Sequence, residues 1–161
     1  MHKFIILITL LVSNLSLAQN VLVTGSNRGI GYEFVSQYAE RGWSVIATSR
    51  SPHDDVELIN LAEKYSNITI EKLDVTSQED IDNLVDKLSG QSIDLLINNA
   101  GLLGDRKKQQ WGNIDKSTFD QLMDVNVFGP LKISEALSEN VIGSDKKQIV
   151  VLSSIIGSIE M

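Results

Sequence analysis

Residues 24–31 read T-G-S-N-R-G-I-G and directly follow the apolar run Asn20, Val21, Leu22, Val23. A buried strand that runs through three glycines into an amphipathic helix brings backbone N–H groups close to a phosphate. Gly25 permits the tight turn. Gly29 leaves no side chain between the backbone and a pyrophosphate, and Gly31 lets the following helix sit close to the strand. Loops of this composition are also found as plain turns, so the rest of the chain has to decide between the two readings.

Outward from this loop, apolar strands and amphipathic helices alternate, the pattern of a parallel sheet covered by helices on both faces. The first helix is expected over 29–41, with Ile30, Phe34, Val35 and Tyr38 on one face and Gly42 as its stop. A second strand is expected over 44–48, a second helix over 54–65 and a third strand over 68–73. Thr76 and Glu79 read as a capping box for a helix that buries Ile81, Leu84, Val85 and Leu88. A fourth strand over 93–97 runs into Asn98-Asn99-Ala100-Gly101, a polar loop covers 102–116, a long helix 117–140 and a fifth strand 148–152. The expected fold class is thus α/β, a Rossmann-type doubly wound parallel sheet of about five strands in one domain, 19–161. Its ligand belongs outside the carboxyl ends of the strands, where the winding reverses.

One feature of the long helix follows from covalent chemistry alone. In an α-helix the N–H of residue 130 would bond the carbonyl of Asn126, but residue 130 is proline and has no N–H. A kink is expected there.

Composition narrows the function. The chain has 161 residues, 42% of them hydrophobic, and a net charge of -7. An acidic chain whose longest basic run is Arg106-Lys107-Lys108 is poorly suited to a nucleic-acid surface and points to a small-molecule partner. It has no cysteine and only two histidines, His2 and His53, which excludes thiolate sites and gives no metal-ligand spacing. Residues 1–18 read as a secretory leader: Lys3 near the start, an apolar run from Phe4 to Val12, and small residues Ser16 and Ala18 before a cleavage point. The run is shorter than the ~20 residues that span a bilayer. The leader implies export to a periplasm or lumen; a later translation start would instead leave the protein cytoplasmic.

Five motifs in order, T-G-S-N-R-G-I-G at 24–31, L-D-V-T at 73–76, N-N-A-G at 98–101, V-N-V-F-G at 125–129 and V-L-S-S-I-I-G at 151–157, resemble those of the short-chain dehydrogenase/reductases. The resemblance is strongest to carbonyl reductases of the C-factor and sniffer type. It implies that Gly25, Ser26, Asn27, Arg28, Gly29, Ile30 and Gly31 hold a dinucleotide pyrophosphate. Asp74 and Val75 would meet its adenine, and Asn98, Ala100 and Gly101 would set backbone against its ribose. It further implies Ser154 as a catalytic serine bonding the substrate carbonyl, and Asn126 as the residue whose main-chain carbonyl holds a relay water. A homo-oligomer formed through the long helix 117–140 is also implied.

Charge indicates which dinucleotide. NAD-selecting folds place Asp or Glu about 20 residues past the glycines, on the ribose 2'-hydroxyl. Here Ser49 and Arg50 stand at that distance, and Arg28 lies inside the loop. Two guanidiniums suit a 2'-phosphate, so NADP(H) is the expected cofactor. The resemblance breaks at one point. The family's acid is a Tyr followed four residues later by a Lys, which lowers the Tyr pKa. Tyr32, Tyr38 and Tyr65 are followed by Ser36, Gly42 and Thr69. Two expectations stand side by side. In one, the chain is the amino-terminal portion of a reductase of small carbonyl compounds; in the other, it is a non-catalytic NADP(H)-binding module.

Overall fold

The computed structural model describes residues 19–154; the expected leader, 1–18, and residues 155–161 lie outside them. The element order is β1 (Asn20–Val23), α1 (Gly29–Glu40), β2 (Ser44–Ser49), α2 (Val56–Lys64), β3 (Ile68–Lys72), α3 (Gln78–Lys87) and β4 (Leu95–Asn98). A 3-10 turn (Arg106–Gln109), α4 (Lys116–Met123), a π-helical turn (Asp124–Phe128), α5 (Gly129–Ala136), α6 (Ser138–Ile142) and β5 (Gln148–Val151) follow. The five strands form one sheet in the order β3-β2-β1-β4-β5, every pair parallel. Successive strands run outward from β1 in one direction up to β3. The chain then crosses back to lay β4 on the other side of β1, so the winding reverses between β1 and β4, as the doubly wound reading requires.

Period-2 alternation along each strand divides the core into two layers. Leu22, Ile46 and Leu96 point to one face and pack with Ile81, Leu84 and Leu88 of the α3 region and Ile133 and Leu137 of the α5 region. Val21, Val23, Val45, Ala47, Leu95 and Ile97 point to the other and meet Val35 and Ala39 of α1 and Leu58 and Leu61 of α2. Both faces of β1 are therefore dry: Val21, Leu22 and Val23 are all 0% exposed. At the far side, β5 pairs with β4 alone among the described residues, and its Ile149, Val150 and Val151 stay exposed.

The structure corrects three local expectations. Ile30 does not share the buried face of α1; it is 63% exposed, because at the helix start it turns toward the carboxyl ends of the strands, while Gly31, Val35 and Ala39 form the buried stripe. The cap of α3 is Ser77, not Thr76: its hydroxyl accepts the Asp80 N–H at 3.2 Å, and Thr76 is instead held by the Asp74 carboxylate, which accepts both its N–H and its hydroxyl. The helix expected over 117–140 is not continuous. The Gly129 N–H reaches back five residues to the Asp124 carbonyl, a π turn over Asp124–Phe128, and Pro130 falls in the first turn of α5, where a missing N–H costs nothing. A second break at Leu137 separates α5 from α6.

Asp80 ties α3 to the end of β3. Its carboxylate accepts from Lys72 Nζ at 2.8 Å and from the Asp74 N–H at 3.0 Å, and the Lys72 bond, helped by that N–H, holds its pKa below the ordinary carboxylate range. A lowered folded-state pKa gives stability that is present above the unfolded pKa of about 4 and is lost as pH falls through the folded one. Asp80→Ala is expected to cost about 1–3 kcal/mol at pH 7 in urea unfolding, by leaving the Asp74 N–H without its acceptor. It should also flatten the acid side of the stability curve; an unchanged acid side would show that Asp80 carries none of that dependence.

Candidate functional site

A cleft of about 1150 Å3 opens at the carboxyl ends of the strands, on the reversal between β1 and β4. One wall is the glycine loop, represented by Gly25, Asn27, Arg28, Ile30 and Gly31. Its floor is Asn99-Ala100-Gly101 after β4, its side is Leu73 to Thr76 after β3, and the end of β2 supplies Ser49 and Arg50. Lys116, Asp120 and Asp124 of the helix α4 region stand opposite.

The glycines are required by geometry. Gly25 has φ +66, and a Cβ there would lie 2.8 Å from the Ala100 Cα; a Cβ on Gly31 would lie 2.2 Å from the Gly25 carbonyl oxygen. Gly29 also has positive φ (+60), but nothing stands within 4 Å of its Cβ position, so the backbone at that point faces open space. Gly25 thus bends the loop, Gly31 lets α1 pack against it, and Gly29 presents bare backbone at the start of α1. A pyrophosphate fits such a cradle, since the first-turn N–H groups of α1 and the helix dipole both favour an anion there.

The loop is anchored to β4 by a clasp. Thr24 Oγ1 accepts the N–H groups of Asn99 and Ala100, each at 3.0 Å, while Asn99 Nδ2 donates to the carbonyls of Thr24 and Gly25, each at 2.9 Å. Neither residue was singled out by sequence; the signal was the Thr that opens the glycine motif and the second Asn of N-N-A-G. Two residues that were singled out face elsewhere. Ser26 is fully buried, where its hydroxyl donates to the Val23 carbonyl and accepts the Thr48 N–H, so it fastens the loop to β2. Asn98 is 3% exposed and donates through Nδ2 to Ser134 Oγ at 3.1 Å, bracing β4 against α5. The pleat of β4 turns the Asn98 side chain into the sheet, and its two hydrogen bonds turn that of Ser26 toward β1 and β2, so neither side chain lines the cleft.

Arg28 and Arg50 are both exposed on the cleft, and neither guanidinium enters an ion pair among the described residues. Lys116, by contrast, is engaged by Asp120 at 2.6 Å. The cleft's free positive charge is therefore concentrated at the meeting of the glycine loop and the end of β2. Asp74 and Val75 line the wall beside them; one Asp74 carboxylate oxygen is committed to Thr76.

The residues expected to be catalytic lie around the same end of the sheet. Asn126 sits in the π turn, and its side chain grips the backbone of Leu102: Oδ1 accepts the Leu102 N–H at 2.7 Å and Nδ2 donates to the Leu102 carbonyl at 2.8 Å. This reciprocal pair fixes the segment after Gly101. Ser154 follows β5, which runs parallel to β4 with Val151 beside Asn98, and the Leu152 N–H donates to the Asn98 carbonyl at 3.0 Å. The chain thus leaves β5 at the end of the sheet where the cleft opens. Neither Asn126 nor Ser154 belongs to the cleft wall formed by the glycine loop.

Comparison with known proteins agrees with this architecture. The short chain dehydrogenase family profile matches residues 19–161. A (+)-neomenthol dehydrogenase of Arabidopsis thaliana is 29% identical over 161 residues, covering 86% of this chain and 54% of its own length. A short chain dehydrogenase of Penicillium aethiopicum is 33% identical over 147 residues, covering 86% of this chain and 58% of its own. The chain therefore spans little more than half of these relatives. Among solved structures, a carbonyl reductase of Pseudomonas aeruginosa superimposes with TM-score 0.81 at 30% identity, over 88% of this chain and 64% of that one. A protein of Burkholderia multivorans, described as a short-chain dehydrogenase/reductase with bound NADP, gives TM-score 0.78 at 32% identity over 88% and 61%.

Removing the clasp should open the cleft without emptying the core. Thr24→Val keeps the volume but leaves two N–H groups without their acceptor, at an expected cost of about 1–3 kcal/mol. Thr24→Ser should restore most of it. Equal urea midpoints for the Val and Ser variants would show that the hydroxyl does not hold the loop.

Proposed function

Because the chain belongs to the short-chain dehydrogenase family, we propose that it carries the dinucleotide half of an NADP(H)-dependent oxidoreductase that reduces a small carbonyl compound or oxidises the corresponding alcohol. The observation that carries the reading is the union, on one cleft, of a glycine cradle with Arg28 and Arg50, which enter no ion pair among the described residues. The backbone from Gly25 to Gly31 suits a pyrophosphate, the two guanidiniums suit a 2'-phosphate, and Asp74, Val75, Ala100 and Gly101 offer the adenine and ribose compact walls. The NADP bound in the Burkholderia neighbour, and in a Pseudomonas aeruginosa carbonyl reductase of TM-score 0.78 and 28% identity, supports the choice of NADP(H) over NAD(H).

The chemistry such a cofactor supplies is hydride transfer to or from a carbonyl carbon. This chain's own residues would prepare the substrate side. Ser154 would donate a hydrogen bond to the carbonyl oxygen, and the main-chain carbonyl of Asn126, whose α-helical partner would be Pro130, would hold a water on the proton path. The acid of that path, a Tyr four residues before a Lys, is not among the 161 residues. The chain by itself is therefore assigned dinucleotide binding, and turnover to a protein that also supplies that pair.

The helix that carries Asn126 has an outer face suited to a second copy. Phe119, Met123, Val127 and Leu131 recur every fourth residue and are all exposed, from 39% to 63%. Spread over α4, the π turn and α5, these exposed apolar side chains offer an association surface, and we assign it to a homo-oligomer.

Three outcomes test the reading. Fluorescence titration of the 161-residue chain should show NADPH binding more tightly than NADH, and Arg50→Asp should erase or reverse that preference; an unmoved preference would refute the charge argument. Carbonyl reduction with NADPH by this chain alone should be undetectable. Leu131→Glu should lower the mass seen by sedimentation, and an equal mass would remove the stripe from the interface.

A further inference from the structure

The end of β2 holds a carboxylate that its place in the sequence does not announce. Asp55 stands at the N-cap of α2, yet its side chain makes no capping bond. Instead it reaches into the cleft. Oδ2 accepts a hydrogen bond from the Ser49 hydroxyl, and Oδ1 accepts from Asn27 Nδ2 at 3.2 Å. Ser49 in turn accepts the Ser51 N–H at 3.2 Å. One carboxylate therefore bridges the glycine loop and the tip of β2, and its two donors are the immediate neighbours of Arg28 and Arg50.

We propose that Asp55 is a specificity-determining residue of the dinucleotide cleft, one that narrows its preference for a 2'-phosphorylated ribose. This rests on the cofactor reading above. A hydroxyl and an amide N–H at the ribose end of the cleft are donors that a 2'-phosphate would use. The Asp55 carboxylate holds both. For a 2'-phosphate to take them, the Asp55 carboxylate must give them up, and its charge repels a ligand group carrying about -1.5 to -2 charges. An unphosphorylated ribose meets the opposite situation, because its hydroxyls can donate to the carboxylate, as they do to the acid at the end of β2 in NAD-selecting folds. Arg28 and Arg50 thus favour the phosphate while Asp55 opposes it. The contact that matters is spatial: Asp55 lies 24 residues past Gly31, beyond the usual distance, and the turn over residues 50–54 brings it back to Ser49.

The test compares 2',5'-ADP with 5'-AMP, which carry the two forms of the ribose and need only this half of the cleft. Calorimetric titration of the 161-residue chain and of Asp55→Asn, at low and high salt, gives both affinities. The variant is nearly isosteric at a partly exposed position, and Asp55→Ala carries the same expectation should it unfold. Loss of the charge should strengthen 2',5'-ADP about tenfold at low salt, with a smaller gain at high salt, and weaken 5'-AMP. A ratio of affinities that does not move, or both affinities moving by one factor independent of salt, overturns the proposal and reduces Asp55 to a loop brace. If the unsubstituted chain binds neither compound, the cofactor reading itself fails and the proposal falls with it.

Discussion

The clasp between Thr24 and Asn99 joins positions 75 residues apart and settles where everything else in the cleft stands. Four hydrogen bonds link the end of β1 to the turn after β4, at the one place in the sheet where neighbouring strands are connected in opposite directions. Both partners use side chains to satisfy backbone groups that have left the ladder, where an unpaired group would cost free energy. The loop passes so close to the turn after β4 that a Cβ on Gly25 would lie 2.8 Å from the Ala100 Cα, so the clasp and the glycines are one device. Its effect is to bring bare backbone from two loops to one cavity.

Much of this was legible because it is local. A strand, three glycines and a helix lie within a dozen residues, and each has a period or a conformational demand that a single sequence displays. The helix stripe of Ile81, Leu84 and Leu88 and the stop at Gly42, which has φ +80, belong to the same class. An irregularity in the long helix near Asn126 was also legible, from the hydrogen atom that Pro130 lacks, though its form as a π turn closed by the Gly129 N–H on the Asp124 carbonyl was not.

What escaped the sequence depends on side chains choosing among several acceptors. Thr76 and Ser77 are adjacent hydroxyl residues before one helix, and which of them caps it is decided by Asp74, which holds Thr76. Asn98 and Asn99 are identical in chemistry, and only the strand pleat sends the first into the core and the second to the loop. Asp55 looks like any acid before a helix until the turn after β2 folds it back upon Ser49. In each case two residues of similar propensity compete, and long-range geometry selects between them.

The π turn has a meaning beyond the loss of one hydrogen bond. A helix advances about 100° per residue, so a segment wound one residue wider passes the extra rotation to everything after it. Asp124–Phe128 therefore acts as a phase shift between α4 and α5. Upstream, the helix is set by the Asp115 cap, whose carboxylate accepts the N–H and hydroxyl of Thr118; downstream, it is set by Ile133 and Leu137 in the core. The two settings need not agree, and the π turn absorbs their difference at the residue that grips Leu102. Seen this way, Asn126 sits at a one-residue insertion that the fold tolerates. Deleting one residue there would leave both helices whole while turning one of them away from the cleft.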